Sequence, residues 1–308
     1  MAVTLDWFGC ATFRLTVGEL VVFLDAYIDR VADAPGPGMT ADDVTACDWI
    51  LVGHSHFDHL YGAERIVANT GARVIASYES ARVLEDVGVP AGQIICVSGG
   101  ERVELGPGVI ASVVPSLHSC TWTGTHRAGA SDVCLGDLGI LHAEREERSK
   151  ANFGRIGASL SPQAVEHMLE AAHLHSPRGD GGALVFLIET ADGTVLFQDT
   201  AGRWGALLDD LHPDVAILAA AGRGNVDGDP VQGSLADFIV DEARRLGVPR
   251  VILSHHDDWL PGFAGSPEVE PIASGLASLE PSVELVELDY LDGTQLFTDA
   301  HPSPNARA

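Results

Sequence analysis

The hexapeptide His54-Ser55-His56-Phe57-Asp58-His59 constrains this chain more than any other stretch. Four of its six side chains are metal donors. It follows Asp48-Trp49-Ile50-Leu51-Val52, whose apolar character predicts a buried strand, and it precedes Leu60–Asn69, a helical pattern closed by Gly71. In extended backbone, residues two apart share a side, so His54 and His56 can converge on one ion. The turn into the helix then swings Asp58 and His59 toward a neighbouring site. A polar capping loop has no use for three imidazoles, so the packing alternative gives way to a metal centre.

Two adjacent ions need more donors than one hexapeptide offers, and those donors are expected at other strand ends. His118 follows the strand Val109–Pro115, Asp199 follows Val195-Leu196-Phe197-Gln198, and His255-His256-Asp257-Asp258 follows Val251-Ile252-Leu253-Ser254. Loops at strand ends are where a sheet delivers functional side chains into a common cleft. Neighbouring side chains on extended backbone point to opposite faces, so only one of His255 and His256 reaches that cleft.

The rest of the chain reads as mixed α/β. Three β-rich segments, Val3–Phe8, Thr12–Val17 and Leu20–Asp25, have the spacing of a meander. The Pro/Gly loop 34–38 is a connector, after which Thr40 is placed to cap a short helix with Asp43. Strands are expected at Arg73–Ala76 and Ile94–Val97, with a helix over Glu79–Val87. Beyond an irregular stretch, Asp192-Gly193 joins two strands, Val215–Ala219 is a further strand, and Leu235–Leu246 is a helix. The whole, residues 1–308, is expected to form one domain with an insertion at about 121–182 that contains a helix from Pro162 to His173.

Composition excludes several classes. With 18 Lys and Arg against 44 Asp and Glu, the net charge is −26, which opposes binding to a phosphate backbone, so no nucleic-acid partner is expected. No apolar run approaches the roughly 20 residues of a bilayer helix, so no membrane partner is expected. The start has neither a basic nor an apolar leader region, which makes the cytoplasm the expected location. Five cysteines without a Cys-x-x-Cys argue against a disulfide framework or a zinc ribbon, and most are read as buried hydrophobes. Cys120 has no evident activating base. His173 and His175 form a second His-x-His, but at the end of a helix and without a following Asp-His. A helix-dipole role accounts for them better than a metal, with lining of the pocket as the alternative. His126, His142, His167, His212 and His301 stand isolated. A small-molecule substrate is expected, and the sequence leaves a homo-oligomer open.

The pattern His-x-His-x-Asp-His at 54–59, together with His118, Asp199 and the His of Ser254-His255, resembles the metallo-β-lactamase fold hydrolases over nearly the whole chain. Trp7-Phe8-Gly9-Cys10-Ala11-Thr12-Phe13-Arg14 and Phe23-Leu24-Asp25-Ala26 resemble the branch that includes ascorbate-6-phosphate lactonase. The resemblance implies an αβ/βα sandwich of two mixed β-sheets flanked by helices, with metals at the sheet edges. It implies His54, His56 and His118 as the first site and Asp58, His59 and His255 as the second. Asp199 would bridge two divalent ions, expected to be Zn, with Mn or Fe as alternatives. Family members place this ligand first after the strand, hence His255 rather than His256. The activity implied is metal-dependent hydrolysis, in which a metal-bridging hydroxide cleaves a small lactone, amide or phosphoester and Asp58 orients the nucleophile or moves its proton. Trp122, His256 and Trp259 are candidate substrate contacts. The alternative on the same fold is a mononuclear iron persulfide dioxygenase. A flavodiiron oxygen reductase fits less well, because His56 stands where that group resembles His-x-Glu and no flavin domain follows.

Overall fold

The computed structural model describes residues 2–121, 141–158, 160–174, 179–263 and 266–297. Trp122, His126, Cys134, His175 and His301 lie outside them. The first sheet begins with β1 (Val3–Trp7), β2 (Phe13–Val17) and β3 (Leu20–Leu24), an antiparallel meander. It continues in parallel through β4 (Trp49–Leu51), β5 (Arg73–Ser77) and β6 (Ile94–Val97). The second sheet starts from the antiparallel strands β7 (Arg102–Gly106), β8 (Val109–Pro115), β9 (Leu184–Glu189) and β10 (Thr194–Gln198). After β11 (Gly202–Arg203) come β12 (Val215–Ala219), β13 (Asn225–Val226), β14 (Asp229–Pro230), β15 (Arg250–Ser254), β16 (Glu284–Leu285) and β17 (Thr294–Gln295). β12, β15 and β16 extend the second sheet, β17 returns to pair with β1, and β11, β13 and β14 form a small third ribbon.

Strand periodicity explains the layering. Phe13, Leu15 and Val17 of β2, Leu184, Phe186 and Ile188 of β9, and Val215 and Ile217 of β12 all enter the core between the two large sheets. The alternate residues face outward: Phe23 of β3 packs against one helical layer, and Val185, Ala216 and Leu218 pack against the other. Buried on both faces, these strands read as apolar runs. Helices α1 (Phe57–Leu60), α2 (Ala63–Thr70) and α3 (Tyr78–Asp86) lie in chain order along the first half, where residues of α1, α2 and α3 pack against the first sheet. Then come α4 (His142–Gly157), α5 (Pro162–Leu174), α6 (Gly205–Leu208), α7 (Leu235–Leu246) and α8 (Glu270–Ala277). α7 and α8 cover the second sheet. Ser234 caps α7 by accepting from Asp237 N–H, and the left-handed Gly247 ends it.

Two expectations need correction. The helix expected over Leu60–Asn69 is two helices, α1 and α2, broken at Gly62. Gly62 has φ +114°, and a Cβ there would meet Ala41 Cβ at 2.8 Å and Ala26 O at 2.9 Å, so only glycine fits this close approach. The insertion at about 121–182, in which only the helix from Pro162 to His173 is expected, also carries the 16-residue helix α4, with the charge run 144–148 inside it. Most of the described cysteines are buried as expected, Cys10, Cys47 and Cys120, and Cys96 is exposed.

Candidate metal centre

The site assembles at the carboxyl ends of strands. β4 runs through Val52 and Gly53 to His54, β8 leads to His118, β10 to Asp199 and β15 to His255. Gly53 makes this convergence possible, because a Cβ on it would lie 2.0 Å from an Asp199 carboxylate oxygen. His54 is buried behind it, and His56 caps the start of α1, which carries Asp58 and His59. The loop is held from the far side by residues 179–181. Ser55 N–H donates to Asp180 O at 3.0 Å, and Ser55 Oγ donates to Gly179 O at 2.7 Å.

Three imidazole nitrogens meet on one side of the centre. His54 Nε2 lies 3.1 Å from His56 Nδ1 and 3.1 Å from His118 Nε2. Nitrogens bound to one tetrahedral ion at 2.0–2.1 Å sit about 3.4 Å apart, so this trio fits a metal. His118 Nδ1 is 2.8 Å from Ser119 O, which fixes the tautomer that leaves Nε2 free of a proton. Burial pushes His54 and His56 below the usual histidine range and His118 down to about 4, so the trio is neutral, the form that binds metal.

Opposite it, Cys10, Asp58 and His255 offer donor atoms that all lie within 4.8 Å of one another. Burial takes His255 down to about 3 and pushes the Cys10 thiol up. Between the two trios stands Asp199. Its Oδ2 is 2.6 Å from His54 Nδ1 and 3.2 Å from His59 Nδ1, while its buried Oδ1 has no hydrogen-bond partner. An unsatisfied buried carboxylate oxygen is costly, and a cation beside it removes that cost. The residues therefore fit a metal group by donor chemistry and by this orphaned atom.

His59 reaches the centre from α1. Its Nδ1 is 2.6 Å from Asp25 Oδ2, and its Nε2 is 3.5 Å from Asp58 Oδ2. Burial opposes a charge on His59, but the carboxylates of Asp58, Asp25 and Asp199 hold its pKa well above the usual range. Asp25 also accepts from Gly53 N–H at 2.9 Å, and burial raises it to about 7. On the other flank, Asp180 pairs with Arg145 of α4. Against the effect of burial, the His118 ring and the Arg145 guanidinium hold the Asp180 carboxyl below its usual range.

Of the expected site residues, His54, His56, Asp58, His59, His118, Asp199 and His255 are brought together. Trp259 is buried and turns its ring edge-on to His255 at 5.9 Å and to Tyr27 at 5.4 Å. His256 goes elsewhere. It stacks on Trp7 with ring centroids 4.3 Å apart, in line with the alternation of neighbouring side chains, and does not join Trp259. His173 lines a cleft with Glu64, Val83, Asp86 and Val87, outside the ligand clusters. His167, read as isolated, is 2.8 Å from Tyr27 Oη and so docks α5 beside the Trp259 wall. Sequence reasoning missed Cys10, Asp25, Asp180 and Arg145. The available signal was an acid ending the apolar strand Val21–Leu24 and a Gly-Cys turn ending β1, which are strand-end positions like those of the ligands.

The two layered sheets and this strand-end centre define a metallo-β-lactamase fold. Residues 21–139 match the model of the β-lactamase superfamily domain. A UPF0173 metal-dependent hydrolase of Pyrobaculum calidifontis is 30% identical over 115 residues, which is 37% of this chain and 50% of that protein. The chain thus spans about half the length of the first curated relatives it matches. A UPF0173 metal-dependent hydrolase of Mesorhizobium japonicum is 27% identical over 189 residues, covering 59% of this chain and 77% of that one. Among solved structures, Igni18, a metallo hydrolase of Ignicoccus hospitalis, aligns with a TM-score of 0.61 at 15% identity over 96% of this chain and 98% of its own.

Proposed function

We propose that this chain is a dinuclear metal-dependent hydrolase that cleaves a small lactone, amide or phosphoester. The observation that carries the reading is two donor trios on either side of Asp199: His54, His56 and His118 on one, and Cys10, Asp58 and His255 on the other. His59 approaches the second trio through Asp58. Two ions held there would supply Lewis acidity and a water of lowered pKa. Asp58, at the edge of the cluster with its side chain 14% exposed, is the carboxylate best placed to orient that water and carry its proton. Asp199 would join the two halves. Trp259 and Tyr27 form an apolar wall beside His255.

The relatives named metal-dependent hydrolases support the hydrolytic class. The likeness of the opening strands to ascorbate-6-phosphate lactonase supports a lactone or phosphoester among the candidate substrates. Zinc is the expected metal, with manganese or iron as alternatives, and the expected location is the cytoplasm. Among the described residues no helix is long and apolar enough to cross a membrane. The charge of −26 opposes a nucleic-acid substrate. The mononuclear dioxygenase reading leaves the second trio without a purpose.

The test is elemental analysis of the purified protein coupled to lactone, phosphodiester and amide substrates and to oxygen uptake. The expected result is about two ions per chain with hydrolysis of one of these classes. One iron per chain with oxygen consumption on a persulfide overturns the proposal.

A further inference from the structure

We propose that Cys10 is a thiolate ligand of the second metal ion, beside Asp58 and His255. This deepens the dinuclear reading and rests on it. Cys10 Sγ lies 3.3 Å from His255 Nδ1 and 4.0 Å from its Nε2. Sulfur at 2.3 Å and nitrogen at 2.0–2.1 Å from a tetrahedral ion are about 3.6 Å apart, a value these distances bracket. Asp58 completes the group, with the three donor atoms mutually within 4.8 Å.

The turn that presents the thiol is built around it. Cys10 has left-handed backbone, φ +51°, held on three sides. Its N–H donates to Asp257 Oδ1 at 3.0 Å, and its carbonyl accepts from His255 N–H at 2.9 Å and from Trp7 Nε1 at 3.2 Å. Asp257 is anchored in turn by Tyr290 Oη at 2.9 Å. Gly9 cannot be replaced without collision, since a Cβ there would meet Asp257 Oδ2 at 2.7 Å and Arg30 Nη2 at 2.8 Å. Two of the three residues that fix the Cys10 backbone, His255 and Asp257, thus belong to the loop that carries the ligand His255. The Cys10 side chain sits at the edge of a buried apolar cluster with Tyr27, Trp259 and Leu260, yet its sulfur faces the His255 imidazole and the Asp58 carbonyl of α1.

Coordination is a proton exchange: the S–H bond gives its proton to solvent as the sulfur–metal bond forms, and no electron moves. A thiolate is a soft donor, so its presence biases this site toward zinc, cobalt or cadmium and against manganese.

The experiment is a cobalt(II) titration of the metal-stripped full-length protein. The expected result is a near-ultraviolet thiolate-to-cobalt charge-transfer band in the wild type. The band should be lost in both Cys10→Ser and Cys10→Ala and kept in Cys120→Ser, whose sulfur lies against Gly224 O. Chelator competition should show the Cys10→Ala second site weakened by more than about 100-fold, beyond the loss typical of a group that only supports a ligand. The wild-type spectrum needs no variant, so a folding defect in either substitution leaves the test intact. Cobalt bound without the band, or a band that survives Cys10→Ala, overturns the assignment. The number of cobalt ions bound decides the dinuclear reading separately, and a protein that binds no cobalt overturns both.

Discussion

Asp25→Asn isolates the contribution of a carboxylate that touches the centre only through His59. Asn has the same shape and tolerates the left-handed backbone that Asp25 adopts at φ +56°, so the strand end is expected to survive. Asp25 uses its two oxygens for different jobs, taking Gly53 N–H at 2.9 Å and facing His59 Nδ1 at 2.6 Å. An amide has one acceptor. If its oxygen keeps Gly53, its NH2 group meets Nδ1 and favours the tautomer protonated on Nε2. That nitrogen is the one lying 3.5 Å from Asp58 Oδ2, so the lone pair a metal needs is blocked. If the amide flips, it sets a donor against Gly53 N–H instead.

Either arrangement loses one charge-assisted hydrogen bond, worth about 1.5–3 kcal/mol. At about 1.4 kcal/mol per tenfold, that is a loss of roughly 10- to 150-fold in affinity at the second site. The first site, whose three nitrogens do not touch Asp25, is expected to lose less than the second, because the change reaches it only through the shared Asp199. Zinc affinity measured by competition with a chromophoric chelator resolves the two steps, with circular dichroism as the check on folding. Equal loss at both sites, or no loss at the second, would refute the argument that Asp25 sets the His59 tautomer.

His255→Ala is expected to empty the second metal site and His256→Ala to leave metal content unchanged, since His256 stacks on Trp7; metal analysis of the pair decides, and the reverse pattern reassigns the ligand. Phe197→Ala removes a fully buried ring from the core between the sheets and should cost about 3–5 kcal/mol in urea unfolding. Burial raises Glu242, paired with Arg203, from 4.5 to about 7, so between those values the folded state holds a proton that the unfolded chain has released. The stability this contributes is present below pH 4.5 and lost as pH rises through about 7; unfolding of wild type and Glu242→Gln should therefore diverge by about 1–3 kcal/mol across that window, and parallel curves would contradict the shift.

The strands were legible because the two faces of each sheet are both buried, which writes near-continuous apolar runs at β9, β12 and β15. Seven donors were legible because the ligand loop concentrates four of them in six residues and the others each follow such a run. The split of Leu60–Asn69 was hidden, since the contact that demands Gly62 is with Ala41 and Ala26, far away in sequence. β11, β13 and β14 have two residues each, too short for any periodicity. Cys10 escaped notice for a related reason: its backbone is held by Asp257, 247 positions later, and its one local mark is the Gly-Cys turn that ends β1.

The described non-glycine residues with left-handed backbone are Cys10, Asp25, Asp227, His255 and Leu291, and three of them stand at the centre. Each such residue costs about 1–2 kcal/mol, so the cluster is retained only because the surroundings determine it. The compensation is visible in hydrogen bonds: Asp25 N–H reaches Leu51 O at 2.9 Å, His255 N–H reaches Cys10 O at 2.9 Å, and Cys10 N–H reaches Asp257. A strand that stayed extended would carry its next side chain past the sheet edge into solvent. A single left-handed residue after β3 or β15, or a Gly9-Cys10 pair after β1, turns the chain back so that its side chain lies across the sheet end. Two sheets packed face to face bring those ends close together, and the turning residues Cys10 and His255 carry their donors to the centre while Asp25 reaches it through His59.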